Sequence, residues 1–193
     1  MILPAETFRY EIRRGGELIA IEEGRFADAK ITGVRRPPSG SDRYEVEAEL
    51  DSNAVVSKIV LRYSRGPFVR NASYEGGEDF LRGNVSALAG RNVVTTKLGR
   101  YREVDAELQI FRALTIAHIR ARGQTRWTGR VATIDSSTLV ASTNKQSCRS
   151  AGDGASKWIY EPRMGDSEEI EIDAEGRLLL RRDNRGIEAR LVR

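Results

Sequence analysis

The chain has 193 residues, 39% of them apolar and 31% charged, and its 32 lysines and arginines outnumber its 28 aspartates and glutamates to give a net charge of +4. That length can bury a substantial core, and apolar residues spread along the whole chain exclude a disordered polymer. The single Cys148 and single His118 exclude an intrachain disulfide and a Cys/His zinc site.

The first residues, "MILPAETFRYEIRR", lack the basic-then-apolar pattern of a signal peptide. No apolar run approaches the ~18 residues of a transmembrane helix. Together with the lone thiol, this predicts a cytoplasmic protein with no transmembrane segment. Phe8, Tyr10 and Ile12 alternate with Arg9, Glu11 and Arg13, and a Gly15-Gly16 turn leads into "ELIAIEEGRF" as the return strand of a hairpin. "RFADAKITGV" alternates through Phe26, Ala29 and Ile31 with one slip, and "RRPPSGSDR" (35–43) is a loop by composition. Tyr44, Val46, Ala48 and Leu50 then share one face, with Glu45, Glu47 and Glu49 on the other. This is the pattern of a sheet with one dry and one wet side. In "VVSKIVLRYS", Ile59, Leu61 and Tyr63 point inward, and "GPFVRNASYEGG" ends in a Gly76-Gly77 turn. "EDFLRGNVSALAGRNVVTTKLGRY" is less regular and reads as short strands and loops.

The stretch "VDAELQIFRALTIAHIRARG" (104–123) changes period. Val104, Ala106, Leu108 and Ile110 alternate with Asp105, Glu107 and Gln109 as in a strand; from Phe111 to about Arg122 the spacing is helical, with Gly123 as the stop. Six further segments, from "TRWTGRVATI" to "GIEARLV", alternate again. Turn signals at Ala174-Glu175-Gly176 and Asn184-Arg185-Gly186 make the last three a meander. Frequent turns and a single helix predict a mainly β fold. The expected form is one domain over 1–193, a curved antiparallel β-roll or barrel-like sheet of roughly a dozen or more strands with one notable helix near 111–122.

Nothing in the chain is a diagnostic catalytic motif. His118 would need Ser136 or Ser137 and Asp135 beside it to form a triad, and no G-x-S-x-G elbow exists. Four residues after Leu114, it reads as a histidine at the margin of the apolar stripe. Glu169, Glu171 and Asp173 alternate with Ile170 and Ile172, as on the solvated face of a strand. The glycine pairs are not followed by the Lys and Ser/Thr of a phosphate loop. Between Phe111 and Ile134 lie Arg112, Arg120, Arg122, Arg126 and Arg130, with Trp127 and no acid. These arginines either pair with carboxylate faces of neighbouring strands or hold an anionic ligand or a nucleic-acid strand.

Val104-Asp105-Ala106-Glu107-Leu108 matches a V-D-x-[DE]-L strand, with Ile119-Arg120 following at a set distance. Trp158 and Tyr160, then Asp173 and Gly176, fit an aromatic strand followed by a charged one ending in D-x-x-G. In these features residues 44–192 resemble a bacterial glycolipid-binding family with a spiral β-roll fold. "QIFRALTIAH" stands where that family has a Thr/Pro/Asn-rich linker, so contacts made by that linker do not carry over. The C-terminal meander is also similar to periplasmic lipoprotein-carrier-like proteins. Both resemblances imply a β-roll with an apolar concavity, and neither implies catalysis. The expectation is non-catalytic binding of an amphiphile, a glycolipid or other acyl-bearing small molecule, in an apolar concavity with an arginine-bearing rim and with no cofactor. Its acyl part would lie on apolar strand faces, with Arg120, Arg126, Trp127, Tyr63 and Trp158 as the binding residues. An exposed edge strand would allow a homodimer. The alternatives are a protein or nucleic-acid interaction module, with nucleic acid the weaker expectation, and a hydrolase using His118.

Overall fold

The computed structural model describes residues 3–76, 80–87, 90–97, 103–152, 156–162 and 166–192. The chain forms a large, curved and unclosed antiparallel sheet with one helix, a mainly β architecture consistent with a β-roll. The first strands are β1 (Glu6–Arg14), β2 (Glu17–Ala27), β3 (Lys30–Arg36), β4 (Arg43–Leu50) and β5 (Val56–Arg65). They are followed by β6 (Phe68–Gly76), β7 (Phe80–Ala87), β8 (Gly90–Lys97) and the short β9 (Glu103–Asp105). The helix α1 (Gln109–Ala121) precedes β10 (Arg126–Ile134), β11 (Ala141–Ser150) and β12 (Lys157–Glu161). The meander β13 (Glu168–Ile172), β14 (Leu178–Asp183) and β15 (Ile187–Leu191) completes the order.

The sheet winds as two wings. Its order is β8-β7-β6-β5-β4-β3-β2-β1-β15-β14-β13-β12-β11-β10-β9, so each wing is built by neighbour-to-neighbour addition and the two meet at β1–β15. There Ile12 lies opposite Ala189 and Tyr10 opposite Leu191. All pairings are antiparallel except β9 with β10, which is parallel. The wings curl towards each other without joining. Thr143 donates to the carbonyl of Lys97 at 2.8 Å and Thr96 to that of Ala141 at 3.4 Å, tying β8 to β11 through side chains.

Alternation decides which side of each strand is dry. Tyr44, Val46, Ala48 and Leu50 are buried, as are Ile59 and Leu61, and Tyr63 is partly buried against the core. Gly15 and Gly16 both take positive φ at the first hairpin, as do Gly176 and Gly186 in the meander. Residues 77–79, including Gly77 of the second glycine pair, lie outside the described residues, as do 98–102.

Three elements differ from the sequence reading. "RFADAKITGV" is not one slipped strand but two, joined by a tight turn in which Asp28 and Ala29 have φ of 52° and 58°. This is type I′-like geometry carried without the usual glycine. Residues 80–87 and 90–97 form two eight-residue strands rather than fragments. Gly83 looks like a breaker only because a side chain there is impossible: its Cβ would lie 2.2 Å from the Tyr74 ring. Thirdly, the strand before the helix stops at Asp105, because Glu107 adopts a left-handed φ of 58°.

Helix α1 sits in the hollow of the curved sheet. Every residue from Gln109 to Ile119 is buried, so the helix has no solvated face, as expected of an element enclosed on all sides. Ile110, Phe111, Leu114, Ile116 and Ile119 alone contribute on the order of 10 kcal/mol by burial. Its C-terminus is closed by two bonds, from the Gly123 amide to the Arg120 carbonyl (2.8 Å) and from the Gln124 amide to the Ile119 carbonyl (3.1 Å). With Gly123 at φ +64°, this is a Schellman cap. Its N-cap residue, Leu108, offers no side-chain acceptor. Leu108 instead packs on β3, where a Cβ at Gly33 would meet its Cδ1 at 2.6 Å.

Candidate ligand-binding cleft

The all-round burial of α1 forces its polar residues to find partners inside the roll. Arg112, in the first turn, points to the β9 and β13 side. Its guanidinium contacts the Asp105 carboxylate, and its Nε donates to Glu168 Oε2 at 3.2 Å. It also lies over the Tyr160 ring, 5.1 Å from the centroid. Burial works against the Arg112 charge, but Asp105 and Glu168 outweigh it and hold the guanidinium more firmly protonated than usual.

This buried pair is the inner wall of a cleft of about 290 Å³. Four arginines line it: Arg35, Arg112, Arg181 and Arg185. Facing them are Asp105, Glu107, Asp166, Glu168 and Asp183, one more carboxylate than guanidinium, with Thr133 and Gln146 between. Gln146 donates to Thr133 at 3.1 Å and accepts from the Tyr160 hydroxyl.

The segment from β9 to α1 shapes the cleft and is fixed at several points. Asp105 Oδ1 accepts the Glu107 amide at 2.8 Å, which holds the left-handed turn. The Glu107 carbonyl accepts from Arg35 at 2.9 Å, the Ala106 carbonyl accepts from the Tyr44 hydroxyl at 2.9 Å, and the Glu107 carboxylate accepts the Ser136 amide at 3.3 Å. Beside the cleft, Glu22 of β2 is completely buried and supplies the cap that Leu108 lacks, accepting the Gln109 amide at 2.7 Å. Burial pushes the Glu22 carboxyl up to about 7, against the opposing pull of Arg35, the Gln109 amide, Arg181 and Arg112.

Arg181 is the least satisfied group of the cleft. Its side chain is 13% exposed, and its contacts to Glu168 (3.9 Å) and Asp183 (3.8 Å) are too long for hydrogen bonds. Its Nε is buried without a partner among the described residues. A guanidinium held between two carboxylates without bonding either one can donate to an incoming oxygen.

The residues singled out from sequence lie elsewhere. Trp127 and Trp158 are buried in the core, on β10 and β12. Tyr63 is partly buried, between Tyr44 and Arg70 in the sheet register. Arg126 is exposed on β10, and Arg120, near the end of α1, is half-buried with its guanidinium towards Gly176. None of the five lines the Arg112 cleft. His118 is not at a boundary: it is 3% exposed, and its Nδ1 lies 3.0 Å from both oxygens of buried Glu103. Burial pushes the Cys148 thiol up to about 12, so it carries no thiolate near neutrality. Among the described residues, no three His, Cys, Asp or Glu side chains are grouped to hold a metal ion.

Three cleft residues did carry a signal. Asp105 and Glu107 belong to the V-D-x-E-L stretch, and Arg112 to the acid-free arginine run. An arginine on a helix this apolar is almost never fully buried unless it is paired, so burial of Arg112 calls for carboxylate partners.

No family model matches the chain, and no curated protein matches it significantly. Among solved structures, the chain is similar to the crystal structure of a DUF1089 family protein from Pseudomonas aeruginosa, with a TM-score of 0.61 and 17% identity over 83% of this chain and 88% of that one. At that identity the likeness shows a shared fold. No helix in the described residues is long and apolar enough to cross a membrane.

Proposed function

We propose that this protein is a non-catalytic binding protein, and that the Arg112 cleft takes the polar head of an amphiphilic molecule. The observation that carries the reading is Arg181, an almost enclosed guanidinium in a 290 Å³ cleft with no hydrogen bond to any described residue. A head bearing hydroxyl or phosphate oxygens accepts from Arg181. Hydroxyl protons on the same head find acceptors at Glu168, Asp183 and Glu107. The hollow of the sheet, where an acyl chain was expected to lie, is filled by α1. The acyl portion therefore stays outside the roll, and affinity comes from charge-assisted hydrogen bonds at the head. Sealed His118 and the neutral Cys148 thiol leave the usual nucleophile–base pairs out of the cleft and favour binding over turnover.

The test is native mass spectrometry of freshly purified protein, followed by organic extraction, on wild type and Arg181→Gln. The expected result is a bound small-molecule mass on the wild type that is released by solvent and absent from the folded variant. A water-soluble released species would make the ligand a free polar molecule rather than an amphiphile. A clean apo mass together with no binding of phosphate- or polyol-headed lipids would overturn the reading.

A further inference from the structure

The acid-free arginine run is divided by the structure. Arg112 turns inward to its carboxylates, whereas Arg126 and Arg130 project from the outer face of β10. There the register sets each against another cation. Arg126 lies directly opposite Arg149 of β11, and Arg130 directly opposite Lys145. All four side chains are exposed. None of them forms an ion pair among the described residues, whereas exposed strand arginines such as Arg9, Arg43, Arg62 and Arg182 each have a carboxylate within 4 Å. Between the two pairs lie the hydroxyls of Thr128 and Ser147, the latter donating to the Glu161 carboxylate of β12 at 2.6 Å.

Like charges directly across a ladder destabilise the strands that carry them. Two such pairs, about 13 Å apart along the strand at ~3.3 Å per residue, form a two-by-two block of positive charge. An anionic surface offsets that cost. We propose that the outward face of β10–β11 docks the protein onto the anionic headgroup surface of a lipid bilayer. A single-stranded nucleic acid is the weaker match. Strand binders pair their positive groove with exposed aromatic platforms, and the one aromatic of β10, Trp127, points into the core. The outer side of a roll is also not a groove. With no exposed apolar side chain among Arg126, Thr128, Arg130, Lys145, Ser147 and Arg149, the contact is electrostatic, without insertion. This surface is separate from the cleft, and the inference does not depend on what the cleft binds.

The experiment is vesicle co-sedimentation of the intact protein with phosphatidylcholine alone and with phosphatidylcholine containing one part in three phosphatidylglycerol. Two fourfold variants are compared: R126Q/R130Q/K145Q/R149Q, and R9Q/R43Q/R62Q/R65Q, which removes the same charge elsewhere. Circular dichroism checks that both are folded. Wild type is expected to bind the anionic vesicles only, with a partition coefficient that falls steeply as salt rises. Each neutralised cation of the block lowers it about fivefold, while the second variant stays close to wild type. The proposal is overturned if wild type ignores anionic vesicles or if both variants lose binding equally. It is equally overturned if an oligo-dT strand binds this face more tightly than the vesicles do.

Discussion

The two arginine groups make opposite use of one residue type. In the cleft, Arg112 is enclosed and matched by Asp105 and Glu168. On β10–β11, four cations face one another in solvent, and none of them is ion-paired among the described residues; Glu161, on the next strand, is bonded to Ser147 instead. The first arrangement is one in which removing a partner is costly, because the charges left behind have no water. The second loses little when a cation is removed, because the pairs repel. Charge that contributes to folding is thus enclosed between α1, β9 and β13, and charge that opposes it lies on the outer face of β10 and β11.

This contrast can be broken at its strongest point first. Arg112→Met leaves Asp105 buried without its close counter-charge and Glu168 with only Arg181 at 3.9 Å, and is expected to lower unfolding stability by about 3–5 kcal/mol in urea titration. A loss below about 1 kcal/mol would show that the pair is not the keystone of the cleft. Next comes Glu22, whose folded-state carboxyl lies near 7 against an ordinary 4.5. Below pH 4.5 it is protonated in both states. Between 4.5 and 7 the unfolded chain releases the proton and the folded one keeps it, so stability falls as pH rises through that window. The loss attributable to this group is on the order of 3 kcal/mol and is complete above pH 7. Glu22→Gln keeps an acceptor for the Gln109 amide, and its stability minus that of wild type should grow from pH 5 to pH 8. A flat difference curve would place the carboxyl in a far wetter setting. The smallest effect belongs to the outer face. Arg130→Gln relieves its repulsion with Lys145 and should raise stability by about 0.2–1 kcal/mol, read as a small increase in Tm. A decrease would mean that Arg130 has a structural partner.

Much of the fold is written in local pattern. Where one face is dry and the other wet, as in Tyr44–Leu50, alternation alone gives the strand and its orientation, and glycines at positive φ give the turns at 15–16, 176 and 186. The misread places are those where a tertiary neighbour overrides the local signal. Gly83 is a strand residue because Tyr74 needs its space. Asp28-Ala29 makes a tight turn with an aspartate first but without the glycine that usually follows it. Asp105 sits at a polar position of an alternating run, yet β9 is buried throughout, since its charged residues meet α1: Glu103 the His118 ring, Asp105 the Arg112 guanidinium. The cleft was less legible still. Glu168 lies 56 residues from Arg112 in sequence and belongs to the far side of the meander. No local period connects the two. Glu169, by contrast, is exposed on the wet face where alternation puts it.

The two-wing winding has a consequence for how the molecule is made. Apart from the parallel β9–β10 pair, which is bridged by α1, the described strands of each wing add to their sequence neighbours, so most pairings close over short stretches of chain. The β1–β15 seam joins residues as far apart as Tyr10 and Leu191, and loop-closure entropy makes it the costliest pairing to form early. Until it closes, both halves expose an unpaired edge at what becomes the centre of the sheet. The vulnerable moment of folding is thus an internal wound between two nearly finished parts, and conditions that slow the closure of that seam are the ones under which this chain aggregates.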